Sequence, residues 1–202
     1  MKKIILIGGG GHCHSCIEVI EAGQRLEIVG VVDENPSLET VLGYPVSGQD
    51  RDLPTLLSEI PRALITVGQI LSPNIRIKLY EIVKSLGADL PTIVSPKSTV
   101  SSHASLDEGT IVMHHALVNA NSTIGANCII NSGAIVEHDV RILDHCHIAT
   151  SATINGGVTV EEGCFVGSGA IIREGITIGA GSTIGAGTVI MRDVPKGITV
   201  KK

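Results

Sequence analysis

The second half of the chain is governed by a period of six residues. An aliphatic residue stands at every sixth position from Val94 to Ile190, and a second restricted position, most often Ser, Ala, Thr or Cys, follows four residues after each. Neither an α-helix, which repeats after about 3.6 residues, nor the alternation of a strand explains this pattern. A parallel β-helix does, because each hexapeptide forms one flat face and a turn. The aliphatic residue then points to the axis, and the smaller one fits the crowded corner.

Residues 1–90 follow a different pattern. Strand-like segments such as KKIILIG, LEIVGVVDE and ALITVG alternate with helical segments such as HSCIEVIEAGQ and NIRIKLYEIVKSLG. This alternation predicts a small Rossmann-like parallel sheet with helices packed on it. We therefore predict two domains, an α/β domain over 1–90 and a β-helix over 91–202. One Phe, two Tyr and no Trp suit a core of stacked Val and Ile contacts.

Two short motifs make the pattern more specific: GGGGH follows the first strand, and EHD occupies positions 137–139. With the hexapeptides, they resemble the family of sialic acid O-acetyltransferases and nucleotide-linked 4-amino-sugar N-acetyltransferases of bacillosamine-type pathways. The resemblance covers nearly the whole chain. It implies a left-handed β-helix with eighteen residues to a coil, a homotrimer, and acetyl-CoA as co-substrate without a metal.

The EHD motif gives the candidate catalytic residues. His138 comes two residues after the inward Val136, so its side chain is expected to point outward near a corner. A neutral imidazole there can act as general base, and a carboxylate on its other nitrogen fixes the tautomer. The resemblance assigns these roles to His138 and Asp139. The alternative is a solvated polar turn without chemistry.

Gly156 lies one coil after His138, at the same corner. The resemblance implies that its N–H binds the oxyanion of the tetrahedral intermediate. Equally, the glycine of NGG could be present only because a turn there needs a positive φ angle.

The resemblance also implies contacts with acetyl-CoA. His147 matches a position that touches this molecule, and Ser168, Gly185 and Ala186 correspond to the groove for the pantetheine arm. After DVPKG the family usually continues with a loop that lines the coenzyme A cleft. Here the chain stops at GITVKK, so we expect that wall to be missing or shortened. For His114 and His115 we favour polar surface, although a role across a trimer interface stays open.

The glycine run opens a helix, where free N–H groups and the helix dipole favour phosphate. It lacks the third glycine of a dinucleotide fingerprint, so a mononucleotide fits better. By resemblance, the nucleotide-sugar contacts are Gly10, Gly11, His12, the acids Asp33 and Glu34, and Gly68. The acids would read a uridine base and ribose, and a turn cap is the alternative for Asp33.

Charge and composition exclude other classes. The net charge is −5 with no Lys/Arg cluster, so nucleic acid is not an expected partner. No segment resembles a signal peptide or a membrane span. Five cysteines, an odd number, argue against a disulfide framework and favour a cytoplasmic protein. Cys13 and Cys16 form a C-x-x-C, which we interpret as helix packing.

The resulting prediction is an acetyl-CoA-dependent N-acetyltransferase acting on a UDP-linked 4-amino-4,6-dideoxy sugar. O-acetylation of a sialic-acid-type sugar is the nearest alternative. A γ-type carbonic anhydrase would need zinc on His115, His138 and His145 or His147. A non-catalytic nucleotide-sugar sensor is the third alternative.

Overall fold

The structure, a computed structural model, describes residues 1–201. The chain begins with an α/β domain whose first strand is buried from Ile4 to Ile7. Its elements are β1 (Lys2–Ile7), α1 (Gly11–Gly23), β2 (Leu26–Val32), β3 (Thr40–Val41), β4 (Tyr44–Gly48), a 3₁₀ turn (Asp50–Asp52), α2 (Leu53–Glu59), β5 (Ala63–Ile65) and α3 (Asn74–Ser85).

The strands form one sheet in the order β3-β4-β2-β1-β5. Strands β1, β2, β4 and β5 are parallel, which confirms the predicted architecture, and only β3 is antiparallel to its neighbour. The β3–β4 hairpin was not predicted. Its tight turn uses Leu42 and Gly43, both with positive φ, so Gly43 was its sequence signal. Helix α1 begins at Gly11, the last glycine of the run, three residues before the segment HSCIEVIEAGQ, and Gly10 is its N-cap.

From Ile93 onward the chain forms a parallel β-helix of two-residue strands. They are β6 (Ile93–Val94), β7 (Thr99–Val100), β8 (Ser105–Leu106), β9 (Ile111–Val112), β10 (Leu117–Val118), β11 (Thr123–Ile124), β12 (Ile129–Ile130), β13 (Ile135–Val136), β14 (Arg141–Ile142), β15 (His147–Ile148), β16 (Thr153–Ile154), β17 (Thr159–Val160), β18 (Phe165–Val166), β19 (Ile171–Ile172), β20 (Thr177–Ile178), β21 (Thr183–Ile184), β22 (Val189–Ile190) and β23 (Thr199–Val200). The predicted left-handed hexapeptide β-helix is confirmed. The domain boundary predicted at residue 90 stays a prediction.

The strands stack into three flat faces, which we name by what they present outward. The docked face contains β6, β9, β12, β15, β18, β21 and β23 and contacts the α/β domain. The apolar face contains β7, β10, β13, β16, β19 and β22, with outward Leu117, Ile135, Ile171 and Val189. The polar face contains β8, β11, β14, β17 and β20, whose outward residues are Ser, Thr and Arg.

The inward residues form one continuous core. The predicted aliphatic positions from Val112 to Ile184 are buried, and each contributes about 1.5–3 kcal/mol to folding. The first coil is less covered: Val100 and Leu106 are half-buried and Val94 is 42% exposed, because no coil precedes them. The period breaks at the other end, where Val200 pairs with Ile184 instead of a residue eighteen positions on. GITV therefore adds one further strand to the docked face.

The α/β domain packs on the docked face through α1. Ile17 and Ile20 share an apolar cluster with the outward side chains Ile93, Ile111 and Ile129. The predicted packing role of the C-x-x-C is confirmed, since both cysteines are buried in this helix and burial raises the pKa of each thiol. Among residues 1–201, no helix has the length and apolar character that crossing a membrane requires.

Candidate active site

A cavity of about 760 Å³ opens between the two halves of the chain. The α/β domain contributes the glycine run and the segment after β5, and the β-helix contributes its docked face and the corner between the docked and apolar faces. Of the predicted nucleotide-sugar residues, Gly10, Gly11, His12, Asp33 and Gly68 line this cavity. The structure therefore brings together residues from three separate parts of the sequence.

The start of α1 forms one wall of the cavity. Gly10 caps the helix without any side-chain hydrogen bond, and a Cβ at Gly10 or Gly11 would meet no atom within 4 Å. The first N–H groups of the helix therefore face open space, where the helix dipole favours an anion. The loop enters the helix through Gly8, whose φ of +107° and contact with Val67 leave no room for a side chain.

The two predicted acids, Asp33 and Glu34, point to different places. Asp33 lines the cavity and holds the glycine loop, because its Oδ2 accepts a hydrogen bond from the Gly9 N–H at 2.6 Å. Its Oδ1 accepts from the Asn35 N–H at 2.9 Å, so it also caps the turn as the alternative expected. Glu34 does not line the cavity. Its carboxylate accepts from the Asp50 N–H at 2.8 Å and caps the 3₁₀ turn instead.

Two histidines lie at the base of the cavity. The ring centroids of His12 and His147 are 6.3 Å apart. His147 is 7% exposed, its Nδ1 donates to the Gln69 carbonyl at 2.6 Å, and its Nε2 accepts from Asn131 at 3.0 Å. Burial lowers the pKa of His147 to about 4 and that of His12 to about 3, so both rings are neutral at physiological pH. His147, predicted from the resemblance to touch acetyl-CoA, thus shares a cavity with the predicted nucleotide-sugar residues.

The predicted catalytic residues form a second cluster, at the corner between the apolar and polar faces. His138 Nδ1 lies 2.8 Å from Asp139 Oδ2, and both side chains are more than half exposed in the single chain. Asn121, one coil earlier, donates to Asp139 Oδ1 at 2.6 Å. Hydrogen bonds from Asn121 and His138 lower the pKa of Asp139. The carboxylate is therefore ionised, and its contact with Nδ1 selects the imidazole tautomer that carries the proton on Nδ1 and leaves Nε2 as the acceptor.

Gly156 lies under the His138 ring. A Cβ built at Gly156 would come 2.7 Å from His138 Cε1 and 2.9 Å from Nε2. The positive φ of the NGG turn belongs to Gly157 and not to Gly156, so the conformational alternative does not explain Gly156. Its N–H finds no hydrogen-bond partner within residues 1–201. The glycine is thus explained by the close approach of the imidazole, and its N–H is available beside that ring.

The remaining predicted coenzyme A residues lie at a third place. Ser168, Gly185 and Ala186 occupy turns at the corner between the docked and apolar faces, in the last coils. Coils there approach closely: a Cβ at Gly167 would come 2.6 Å from the Ala186 nitrogen. Ser168 and Ala186 are exposed, one above the other. Within one chain, the apolar face separates them from His138.

The other histidines are dispersed. His114 and His115 lie at the corner between the docked and apolar faces, where His114 contacts Ser95. His145 is buried at the corner between the polar and docked faces, against Tyr80 and Asn127. In the described part of the chain, no three His, Cys, Asp or Glu side chains are grouped as metal ligands. The γ-type carbonic anhydrase alternative finds no support in this arrangement.

Sequence reasoning missed Asn121, Gln69 and Asn131. Asn121 had a signal, since it lies one coil before Asp139 in the stack that joins His138 to Gly156. Gln69 had none, because its contact with His147 depends on how the α/β domain docks. Asn131 had one, since it comes two residues after Ile129, which pairs with His147 on the next coil of the β-helix.

An outward imidazole–carboxylate pair on a hexapeptide β-helix, joined to a domain with an anion-binding helix start, defines an acyltransferase of the left-handed β-helix class. Comparison with known proteins makes the assignment closer. Residues 3–83 match the model of the PglD N-terminal domain, and residues 121–156 and 157–192 match that of the bacterial transferase hexapeptide.

Three solved structures are similar over nearly the whole chain. A variant of perosamine N-acetyltransferase from Caulobacter crescentus, in complex with CoA and GDP-perosamine, is 37% identical with a TM-score of 0.93, covering 98% of this chain and 92% of that one. The acetyltransferase domain of PglB from Neisseria gonorrhoeae is 34% identical with a TM-score of 0.89, covering 98% and 96%. WeeI from Acinetobacter baumannii, 23% identical, shares the fold with a TM-score of 0.84 over 97% of this chain and 94% of that one. Comparison with curated protein sequences gives no match.

The chain belongs to the family of sugar N-acetyltransferases that combine a PglD N-terminal domain with hexapeptide repeats. The family resemblance read from GGGGH, EHD and the hexapeptides is thereby confirmed. The protein is an acyltransferase with acetyl-CoA as co-substrate.

Proposed function

We propose that this enzyme transfers an acetyl group from acetyl-CoA to the amino group of a nucleoside-diphosphate-linked 4-amino-4,6-dideoxy sugar, with His138 as general base. The observation that carries the proposal is the geometry at His138. Its Nδ1 is held by Asp139 at 2.8 Å, and its ring lies over Gly156, whose N–H is free of hydrogen bonds within residues 1–201.

These groups match what direct transfer requires. The sugar amine attacks the thioester carbonyl carbon while His138 Nε2 accepts the proton that the amine loses. The carbonyl oxygen becomes an oxyanion, for which the Gly156 N–H is a hydrogen-bond donor. When the C–S bond breaks, the imidazolium returns the proton to the CoA sulfur. Proton transfer of this kind contributes about 10²–10⁴-fold to the rate.

The cavity is the candidate site for the nucleotide sugar. Its wall at Gly10 and Gly11 offers free N–H groups at a helix N-terminus, which suit a diphosphate. The sequence predicted a UDP-linked substrate. The similarity to a structure that contains GDP-perosamine makes GDP an equal candidate, and Glu34 points away from the cavity. We therefore propose a nucleoside diphosphate and leave the choice of base to the experiment below.

The proposal requires two subunits for each active site. His138 lies at the corner between the apolar and polar faces, whereas the cavity opens on the docked face, on the other side of the apolar face. The apolar face exposes Ile171 and Val189 at 43% and 57%. Packing this face on a neighbouring copy around a threefold axis would cover these side chains and bring His138 toward the neighbour's cavity. We propose the homotrimer on this ground.

The test is an assay of thiol release from acetyl-CoA with GDP- and UDP-linked 4-amino sugars as acceptors. The five cysteines of the protein are buried, so they contribute little background to a thiol reagent. Thiol release with one acceptor, at a rate that falls by about 10²–10⁴-fold in His138→Asn, supports the proposal. No release with either acceptor contradicts it. Full activity in His138→Asn contradicts the assignment of the base, and binding without turnover would favour the sensor alternative.

A further inference from the structure

Arg76, on α3, is an unusual charge in the core of this protein. It is 1% exposed and lies where α3 meets the β-helix. Its Nη1 donates to the carbonyls of Ile65 and Val67 at 3.0 and 2.7 Å. Its Nη2 donates to the carbonyl and the side-chain oxygen of Asn127 at 3.0 and 2.6 Å. One guanidinium thus connects the end of β5 with a turn of the β-helix.

None of these partners is an acid. All four acceptors are neutral oxygens, and Nε finds no partner within residues 1–201. Removing a charge from water costs several kcal/mol, which neutral carbonyls offset only in part. The guanidinium is therefore better explained by the geometry that it imposes than by stability.

The segment that Arg76 holds leads directly to the cavity. Val67 is followed by Gly68 and Gln69, and all three line it. The Gln69 carbonyl accepts the hydrogen bond from His147 Nδ1 at 2.6 Å. A carbonyl can only accept, so this contact fixes the His147 proton on Nδ1 and leaves Nε2 as the acceptor. The orientation and tautomer of His147 thus depend on where the chain after β5 is held.

The second guanidinium nitrogen, Nη2, binds the β-helix side of the cavity through Asn127. Asn127 has a φ of 53°, is fully buried, and belongs to the β-helix that carries His147 one coil later on the docked face. Asn127 Nδ2 returns a hydrogen bond to the Arg76 carbonyl at 3.3 Å. The side chain of Gln69 adds weaker contacts, at 3.3–3.4 Å, to the carbonyls of Gly163 and Cys164. Arg76 thus links the segment that forms one wall of the cavity to the β-helix that forms the other wall.

We propose that Arg76 is a positioning residue for the substrate cavity, which sets the orientation and tautomer of His147 through residues 65–69. Its relevance to catalysis rests on the proposed function, but its effect on His147 does not. Burial lowers the pKa of His12 and of His147, and the positive charge of Arg76 adds to both shifts.

The test compares Arg76→Lys and Arg76→Met with Tyr80→Phe. Lysine keeps the charge, but a single ammonium cannot reach Ile65, Val67 and Asn127 together; methionine removes charge and donors. Tyr80→Phe is the matched control, because Tyr80 lies on the same helix and its hydroxyl donates to Glu108 of the β-helix at 2.6 Å, not to residues 65–69. The readouts are the ¹⁵N imidazole shifts of His147, assigned with His147→Asn, and the dissociation constants of GDP and UDP.

In both Arg76 variants we expect signals of the Nε2–H tautomer of His147. Nucleotide affinity should fall by about 10-fold or more, since a misplacement of about 1 Å can cost up to ~10²-fold. Tyr80→Phe should keep the wild-type tautomer and affinity, whatever its thermal stability. A folded Arg76→Lys with unchanged His147 shifts overturns the proposal.

Two further outcomes keep the test decisive. If both Arg76 variants fail to fold, Asn127→Gly replaces them, because it removes the side-chain acceptor of Nη2 while glycine suits the positive φ. Unchanged His147 shifts there overturn the proposal. If the wild type binds neither nucleotide, the proposed function fails, and the His147 shifts still decide the role of Arg76.

Discussion

The imidazole of His138 covers Gly156, one coil further along the β-helix, so closely that a Cβ at Gly156 would lie 2.7 Å from His138 Cε1. The two residues are joined by the stacking of coils, since the Gly157 N–H donates to the His138 carbonyl at 3.0 Å. The base and the N–H donor are therefore held on adjacent coils of the β-helix. This relationship leads to the first prediction.

Gly156→Ala should abolish most activity while the protein stays folded. The added methyl must displace the His138 ring, and removing a base or an oxyanion donor typically costs about 10²–10³-fold in kcat. The check is kcat of the two single variants and of the double variant Gly156→Ala/His138→Asn. The double variant should be no slower than His138→Asn, because both changes act on one unit. Multiplied effects would contradict a shared role.

Asp139→Asn should lower kcat by about 10²–10⁴-fold, although Asn tolerates the φ of 61° at this position. Asp139 accepts from both Asn121 and His138 on separate oxygens. An amide has one oxygen for two donors, so its NH₂ would donate to His138 Nδ1 and move the imidazole proton to Nε2. The measurement is kcat together with the ¹⁵N shifts of His138. Asn121→Ala keeps the carboxylate and should cost far less, so an equal loss in both variants would contradict this explanation.

Gly10→Ala should weaken nucleotide binding without lowering stability. The new Cβ meets no protein atom within 4 Å, and the φ of −74° suits alanine, so only space for the ligand is lost. We expect the dissociation constant of the nucleotide sugar to rise by about 10-fold, since a backbone that approaches a ligand closely has no room for a side chain. Gly23→Ala, at the other end of α1 and equally uncrowded, is the control, and its affinity should match the wild type.

Mixing two inactive proteins should restore activity if each site uses two protomers. His138→Asn lacks the base and Gly10→Asp repels the diphosphate, so each homotrimer alone should be inactive. After mixed refolding, about a quarter of the sites would pair an intact His138 with an intact cavity on random assembly. Thiol release by the mixture, against each variant alone, is the measurement. No recovery in demonstrably mixed trimers would place both groups in one chain.

Stability should fall as the pH drops from about 6.5 toward 4. The pKa of His147 is lowered from 6.5 to about 4 by burial, so below pH 6.5 the unfolded chain binds a proton that the folded chain does not. The unfolding free energy then decreases by up to about 1.4 kcal/mol per pH unit for this ring. Above pH 6.5 its contribution is constant. Denaturant unfolding between pH 4.5 and 7.5 tests this, and His147→Asn should show a correspondingly shallower slope.

The six-residue period of the sequence is enough to predict the β-helix and the outward position of the His138–Asp139 pair. A repeat of this strictness leaves one way to bury its aliphatic residues, and stacking at a fixed interval places Asp139, Asn121 and Gly156 beside His138 without any tertiary information. The glycine run likewise indicated where α1 begins, because the start of a helix after such a run depends only on local backbone geometry.

The contacts between the α/β domain and the β-helix could be found only in the three-dimensional structure. Gln69 meets His147, and Arg76 meets Asn127, because the α/β domain docks on one particular face, and no short-range pattern in the sequence predicts that choice. Docking also placed His147 among the nucleotide-sugar candidates, whereas Glu34 is turned away from the cavity by a contact with the Asp50 N–H inside the α/β domain. Such contacts depend on the fit between two surfaces far apart in the chain, whereas a periodic sequence encodes only its own neighbours in the stack.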